Sequence, residues 1–207
     1  MSQNFCYSPK NSVTTTEHCL SYASQETSSF VILSGCSGGG KTTLLAELHR
    51  RGYAVIEEPD QRIVREETSL AGDAVPWKNM EAFLRRAITL SVDDYAQTKD
   101  RGTSWVFFDR GIIDAAAAFQ AITGEPVLTT LASRYRYHSR VFLVPPWPEI
   151  YEQNTDRCHD MKAAVAEFER LQDVYPALGY AVSLLPKVSV KERADFVLRT
   201  LGYADVL

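Results

Sequence analysis

The chain is poor in the features that assign a protein to a membrane, a secretory route or a nucleic acid. No apolar run in its 207 residues approaches the roughly 20 needed to cross a bilayer. The N-terminus lacks the basic-then-apolar pattern of a secretory signal. The four cysteines (Cys6, Cys19, Cys36, Cys158) form no CxxC pair and no metal-finger spacing with the four histidines. Free thiols suit a reducing compartment, so a cytoplasmic location is expected. Positive charge is not in surplus: 22 Lys and Arg stand against 26 Asp and Glu, a net charge of -4. That balance speaks against a dedicated nucleic-acid binder, which carries a basic patch or stripe. There is no Asn-Lys-x-Asp guanine motif, no Leu-Ser-Gly-Gly-Gln transporter signature and no room for the second helical domain of ring-forming ATPases.

What is present fits one globular domain with a sizeable core, at 45% hydrophobic and 23% charged residues. Residues 1–28 are rich in Ser, Thr, Gln and Asn without apolar periodicity, and are expected to be a disordered tail before a domain over 29–207. Phe30-Val-Ile-Leu-Ser-Gly35 reads as a buried strand feeding a turn, and Lys41–Arg51 as a helix stopped at Gly52. Tyr53–Glu57, Ser104–Asp109, Arg140–Val144 and Ala181–Leu185 read as four further strands. Helices are expected over 79–98, 112–122, 127–135, 160–178 and 189–201, the last opened by a Ser189/Glu192 capping box. Strands alternating with helices predict an α/β fold of three αβα layers on a five-stranded parallel sheet. Ligands of such folds sit beyond the carboxyl ends of the strands.

The strand ends carry the chemistry. Gly35, Cys36, Ser37, Gly38, Gly39, Gly40, Lys41, Thr42 and Thr43 satisfy and extend Gly-x-x-x-x-Gly-Lys-[Ser/Thr], between an apparent strand and an apparent helix. Glycines let successive backbone N–H groups converge on an anion, and the helix adds its positive end. Lys41 is placed for the β- and γ-phosphates of ATP and Thr42 for Mg²⁺. Asp109, closing an apolar strand, is the candidate to organise Mg²⁺, with Arg110 beside it for a phosphate and Asp114 to orient Arg110. Glu57 and Glu58 close strand two; alternation lets one face the cleft, and Glu58 is the candidate general base. Arg134, Arg136, Arg140 and Arg157 flank strand four and the following segment; Arg157 is the preferred lid arginine. Cys36 offers a route by which oxidation would block the loop.

Taken together, Phe30-Val-Ile-Leu-Ser-Gly, Gly52-Tyr-Ala-Val-Ile-Glu-Glu-Pro, Val75-Pro-Trp, Phe107-Phe-Asp-Arg-Gly and Val141-Phe-Leu-Val-Pro-Pro-Trp-Pro-Glu-Ile-Tyr resemble the predicted P-loop AAA-type ATPases. These are small single-domain proteins related to nucleoside and nucleotide kinases, and the similarity runs over about residues 29 to 202. Glu58-Pro59 is similar to the Glu-Pro ending strand two in deoxynucleoside kinases, and Asp109-Arg110 to the acidic-Arg pair after their strand three. The resemblance implies strand order 2-3-1-4-5, Glu58 as base, and adenine near Pro186–Val188. Paired arginines are usual in the lid segment of such proteins, whereas here Cys158 follows Arg157.

Three functions fit these features. The first is an ATP·Mg-dependent small-molecule kinase, with a hydroxylated acceptor walled by residues 59–79, including Arg62, Arg65 and Trp77. The alternative is a regulatory NTPase acting as a conformational switch with a protein partner. The third is a nucleotide-binding module acting only within a larger assembly. None of the three requires a nucleic acid or a membrane.

Overall fold

The structure, a computed structural model, describes residues 28–98, 104–150 and 161–202. Five parallel strands form one sheet in the order β2-β3-β1-β4-β5, as the resemblance implies. They are β1 (Phe30–Gly35), β2 (Ala54–Ile56), β3 (Val106–Asp109), β4 (Arg140–Val144) and β5 (Ala181–Leu184). The helices are α1 (Lys41–Arg50), α2 (Pro59–Leu70), α3 (Met80–Thr98), α4 (Ile112–Thr123), α5 (Leu128–Arg134), α6 (Met161–Ala177) and α7 (Val190–Thr200).

Side-chain alternation along the central strands builds the three layers. Phe30 and Ile32 of β1, Val106 and Phe108 of β3, and Val141 and Leu143 of β4 pack on one face, against Ile112, Ile113, Phe168, Leu171 and Tyr175 of α4 and α6. Val31, Leu33, Phe107, Phe142 and Val144 pack on the other face, against Leu44, Leu45 and Leu48 of α1 and Ala194 and Val197 of α7. Both faces of β1, β3 and β4 are covered, which is why those strands read as continuous apolar runs. A smaller cluster joins Ile63 of α2, Phe83, Leu84 and Ala87 of α3, and Phe119 of α4.

Two elements differ from the sequence reading. The second strand ends at Ile56, so Glu57 and Glu58 lie outside the sheet, and Glu58 caps a helix over Pro59–Leu70 that the periodicity does not announce. Pro59 at its first position and Asp60 in its first turn are ordinary start signals. Its buried stripe is Pro59, Ile63 and Glu67, spaced at four and including a charge, on an otherwise polar helix. Glu67 is satisfied there by Arg86 and by the backbone N–H of Ala74.

Candidate functional site

The register brings the ends of β1, β3 and β4 to one edge: Leu33 lies beside Asp109, and Gly35 beside Val144. Gly35 has φ 107°, and a Cβ there would meet the Val144 backbone nitrogen at 2.6 Å, so no other residue fits. The following amide, Cys36 N–H, donates to the Val144 carbonyl at 2.9 Å, pinning the loop to β4. A Cβ on Gly39 would collide with the Val144 side chain. The α1 helix then begins without a side-chain cap and without an acid in its first turn. Its positive end therefore faces the loop with no negative side chain of the helix to offset it. Thr42 and Thr43 are exposed at this end, whereas Cys36 is buried; burial pushes its thiol up against the pull of Arg110. A thiol so held is a poor target for oxidation.

Lys41 is buried at the helix start and forms an ion pair with Asp109 at the end of β3. Burial raises the Asp109 carboxyl, and the neighbouring Lys41 charge opposes that rise. The next residue, Arg110, takes a left-handed backbone, φ 64°, which is unfavourable by about 1–2 kcal/mol for a side chain with a Cβ. That turn carries its guanidinium back over the loop. Arg110 Nε donates to Glu58 Oε1 at 2.7 Å and Nη2 to the Gly35 carbonyl at 3.3 Å. Its Nη1 lies 3.7 Å from Glu167 of α6 and 4.0 Å from Asp114. Burial would weaken the Arg110 charge, but the carboxylates of Glu58, Asp114 and Glu167 outweigh it and hold the guanidinium protonated.

The two carboxylates opening α2 are driven apart. Burial alone would raise Glu58, yet the Lys41 and Arg110 charges dominate and hold it at about 2. Asp60, two residues on, is pushed up to about 7 by burial and then by the Glu58 charge. Glu57 is 75% exposed, so Glu58 is the member of the pair that turns inward, to Arg110. Because Asp60 keeps its proton in the folded state, the fold loses stability as pH rises from the ordinary value of 3.8 toward 7. Glu58 has the opposite sign: its stabilisation is complete above its ordinary 4.5 and is lost as pH falls toward 2. Asp60→Asn is therefore expected to gain roughly 1–3 kcal/mol on the wild type between pH 5 and pH 8 in urea unfolding. Parallel pH slopes for the two proteins would contradict this assignment.

Asp114 does more than orient Arg110. Its Oδ1 accepts from Ser34 Oγ, and its Oδ2 accepts from Gly111 N–H at 2.8 Å and Tyr175 O–H at 2.7 Å. It thus joins β1, α4 and α6 beneath the site. A cleft of about 40 Å³ opens beside Arg110, lined by Pro59, Asp60, Leu84, Asp114, Ala115 and Glu167 among others. Only the first turn of α2 reaches it. Arg62 is paired with Asp94, Arg65 lies 3.7 Å from Glu57, and Trp77 is 56% exposed, so the expected wall is not built from those three. Arg140 begins β4, which places Arg134, Arg136 and Arg140 at the amino edge of the sheet, opposite the glycine loop. Arg157 lies outside the described residues.

A residue not anticipated from the motifs is Arg193 of α7. It is 5% exposed, its guanidinium lies 5.4 Å from the Trp147 ring, and Nη1 donates to the carbonyls of Gly39 at 3.2 Å and Gly40 at 3.4 Å. By taking up those carbonyls it holds the loop with its N–H groups turned the other way. The signal in the sequence is a charged residue next to Ala194 on the apolar stripe of an amphipathic helix.

A glycine loop between β1 and α1, an acidic-Arg pair closing β3 and a 2-3-1-4-5 parallel sheet together define the P-loop kinase fold. The AAA domain family matches residues 30–193, and the chain belongs to that family. No curated protein sequence matches it. Among solved structures, it is similar to deoxyadenosine kinase from M. mycoides with bound dATP, at TM-score 0.56 and 14% identity, covering 84% of this chain and 100% of that one. NadR protein in complex with NR superposes at TM-score 0.63 with 20% identity, over 86% of this chain but 52% of NadR. Shikimate kinase from Acinetobacter baumannii in complex with shikimate gives TM-score 0.55 at 14% identity, over 86% of this chain and 95% of that one. The comparisons establish a kinase-related P-loop architecture. Among the described residues, no helix is long and apolar enough to cross a membrane.

Proposed function

We propose that the protein is an ATP·Mg-dependent phosphotransferase acting on a small hydroxylated molecule. The observation that carries this reading is the meeting of two ion pairs, Lys41–Asp109 and Arg110–Glu58, at the edge where the glycine loop opens. A regulatory ATPase needs the loop, the lysine and a metal-organising acid; a second acid beside a cleft is what acceptor chemistry adds. The kinases and NadR among the structural neighbours support it.

In this reading the loop N–H groups after Cys36, whose own N–H is held by Val144, cradle the β- and γ-phosphates, with Lys41 and Arg110 turning from their carboxylates to the phosphate oxygens. The exposed Thr42 hydroxyl and the Asp109 carboxylate, released as Lys41 turns, are an oxygen donor set suited to Mg²⁺. Mg²⁺, when bound, supplies positive charge on the β- and γ-phosphate oxygens. The cations that hold Glu58 at about 2 are the ones drawn to the phosphates, so loading the loop makes Glu58 more basic. The acceptor oxygen bonds to the γ-phosphorus, the bond to the β,γ-bridging oxygen breaks, ADP leaves, and Glu58 takes the hydroxyl proton. The family resemblance puts adenine beside Pro186–Val188, after β5, and makes Arg157 the candidate lid arginine.

Stimulation of Mg·ATP consumption by one pool of nucleosides, nucleotides or hydroxylated metabolites tests the reading. Hydrolysis indifferent to every pool would replace it with the regulatory NTPase.

Arg193→Met keeps the buried stem and removes the two donors to the loop carbonyls. It is expected to weaken ATP binding about tenfold in calorimetric titration, roughly 1.4 kcal/mol, as loss of hydrogen bonds from a charged group requires. An unchanged affinity would reduce Arg193 to packing.

A further inference from the structure

The charge of the cleft beside Arg110 restricts the acceptor. Its lining includes three carboxyl groups, Asp60 of α2, Asp114 of α4 and Glu167 of α6, and one cation, Arg110. That cation is already committed: Glu58 lies 2.7 Å from it, Glu167 3.7 Å and Asp114 4.0 Å. The neighbouring cations are paired as well, Lys41 with Asp109 and Arg170 through Nη2 with Glu167, although the buried Arg170 Nη1 has no hydrogen-bond partner among the described residues. The remaining wall is apolar, from Pro59, Leu84, Ala115 and Ala118. Among the described residues, no uncommitted Lys or Arg lines the cleft. Recognition of a phosphate or carboxylate requires such a group, or backbone N–H donors aimed at it.

The setting of Asp60 points the same way. It is driven toward its protonated form by burial and then by the Glu58 charge, although Arg110 and Lys41 pull the other way. An anionic group brought beside Asp60 would add a further like charge in a buried setting.

We infer that the acceptor presents to this cleft an uncharged hydroxyl on a molecule that carries no phosphate or carboxylate near it, and that is neutral or positively charged overall. The inference rests on the phosphotransferase reading and narrows it. A protonated Asp60 can donate to a hydroxyl oxygen, and Glu167 can accept from hydroxyl or ammonium groups. A cleft of about 40 Å³ receives the reacting end of such a molecule and leaves its bulk outside. Transfer follows the balance already given: the hydroxyl oxygen gains the γ-phosphoryl group, ADP departs and the proton passes to a carboxylate.

The test compares two pools at equal concentration with the full chain and Mg·ATP. One contains neutral nucleosides, sugars and polyols; the other contains the monophosphate esters of the same compounds, each keeping a free hydroxyl. The neutral pool is expected to stimulate ATP consumption at least tenfold more than its phosphorylated counterpart. Equal or greater stimulation by the phosphorylated pool overturns the inference and leaves the phosphotransferase reading standing. Turnover indifferent to both pools overturns the phosphotransferase reading and, with it, the inference. Glu167→Lys places a cation in the cleft and is expected to shift the ratio of kcat/KM values about tenfold toward the phosphorylated acceptor. The near-isosteric Glu167→Gln is expected to shift it the same way by less. A ratio unmoved in both variants overturns the assignment of specificity to the cleft charge.

Discussion

Lys41→Ala is expected to lower Mg·ATP turnover by at least about 10³-fold and to weaken ATP binding by about two orders of magnitude. Lys41 is the buried cation at the mouth of the glycine loop, and in the free protein its charge is held ready by Asp109. Its removal takes away the side chain placed for the β- and γ-phosphates and leaves Asp109 buried without a partner. The second effect is a stability effect, because an uncompensated buried charge costs up to several kcal/mol. It is separable. Asp109 is already raised by burial, so in the variant it is expected to take up a proton rather than unfold the chain. Adding Asp109→Asn to Lys41→Ala should therefore recover thermal stability without recovering turnover. Calorimetric titration with ATP and a steady-state turnover assay measure the two quantities. Turnover that survives in Lys41→Ala at the wild-type level would remove the loop lysine from the account.

Glu58→Gln is expected to slow transfer to the acceptor by 10²–10⁴-fold while ATP affinity changes less than about threefold. The substitution keeps an oxygen to accept from Arg110 Nε, now 2.7 Å from the carboxylate, and removes only the capacity to take a proton. Arg110 retains Glu167 and Asp114 near its other nitrogens, so its position is not expected to change. Single-turnover phosphoryl transfer separates chemistry from product release. An unchanged transfer rate would move the proton-accepting role to Asp60, which lines the cleft two residues further on.

Much of this arrangement is legible in the amino-acid order. Phe30–Gly35, Val106–Asp109 and Arg140–Val144 are covered on both faces, so they stand out as unbroken apolar runs, and the chemistry sits at their ends. The glycine loop is legible because its conformation excludes other residues, as the contact between Gly35 and the Val144 backbone shows. The rest depends on long-range contact. The helix from Pro59 buries only three positions, one of them the charged Glu67, so it lacks the run of apolar residues by which the other helices are read. The left-handed turn at Arg110, which brings the guanidinium over Gly35 and Glu58, leaves no mark in local propensity. Arg193 reaches the loop across 154 positions of sequence, and the raised carboxyl of Asp60 arises from burial in the fold and then from the charges of Glu58 and of Asp114 on α4. The expected wall at Arg62, Arg65 and Trp77 misses because their partners, Asp94 and Glu57, or solvent, take those side chains away from the cleft.

The alternative switch and the kinase differ in the fate of one phosphoryl group. ATP labelled at the γ-phosphate, incubated with Mg²⁺, the full chain and a pool of neutral hydroxylated metabolites, gives the most direct test. The account predicts label in a new organic phosphate ester, formed in proportion to ADP and lost in Lys41→Ala. Label appearing only as inorganic phosphate, at a rate no acceptor alters, would contradict it.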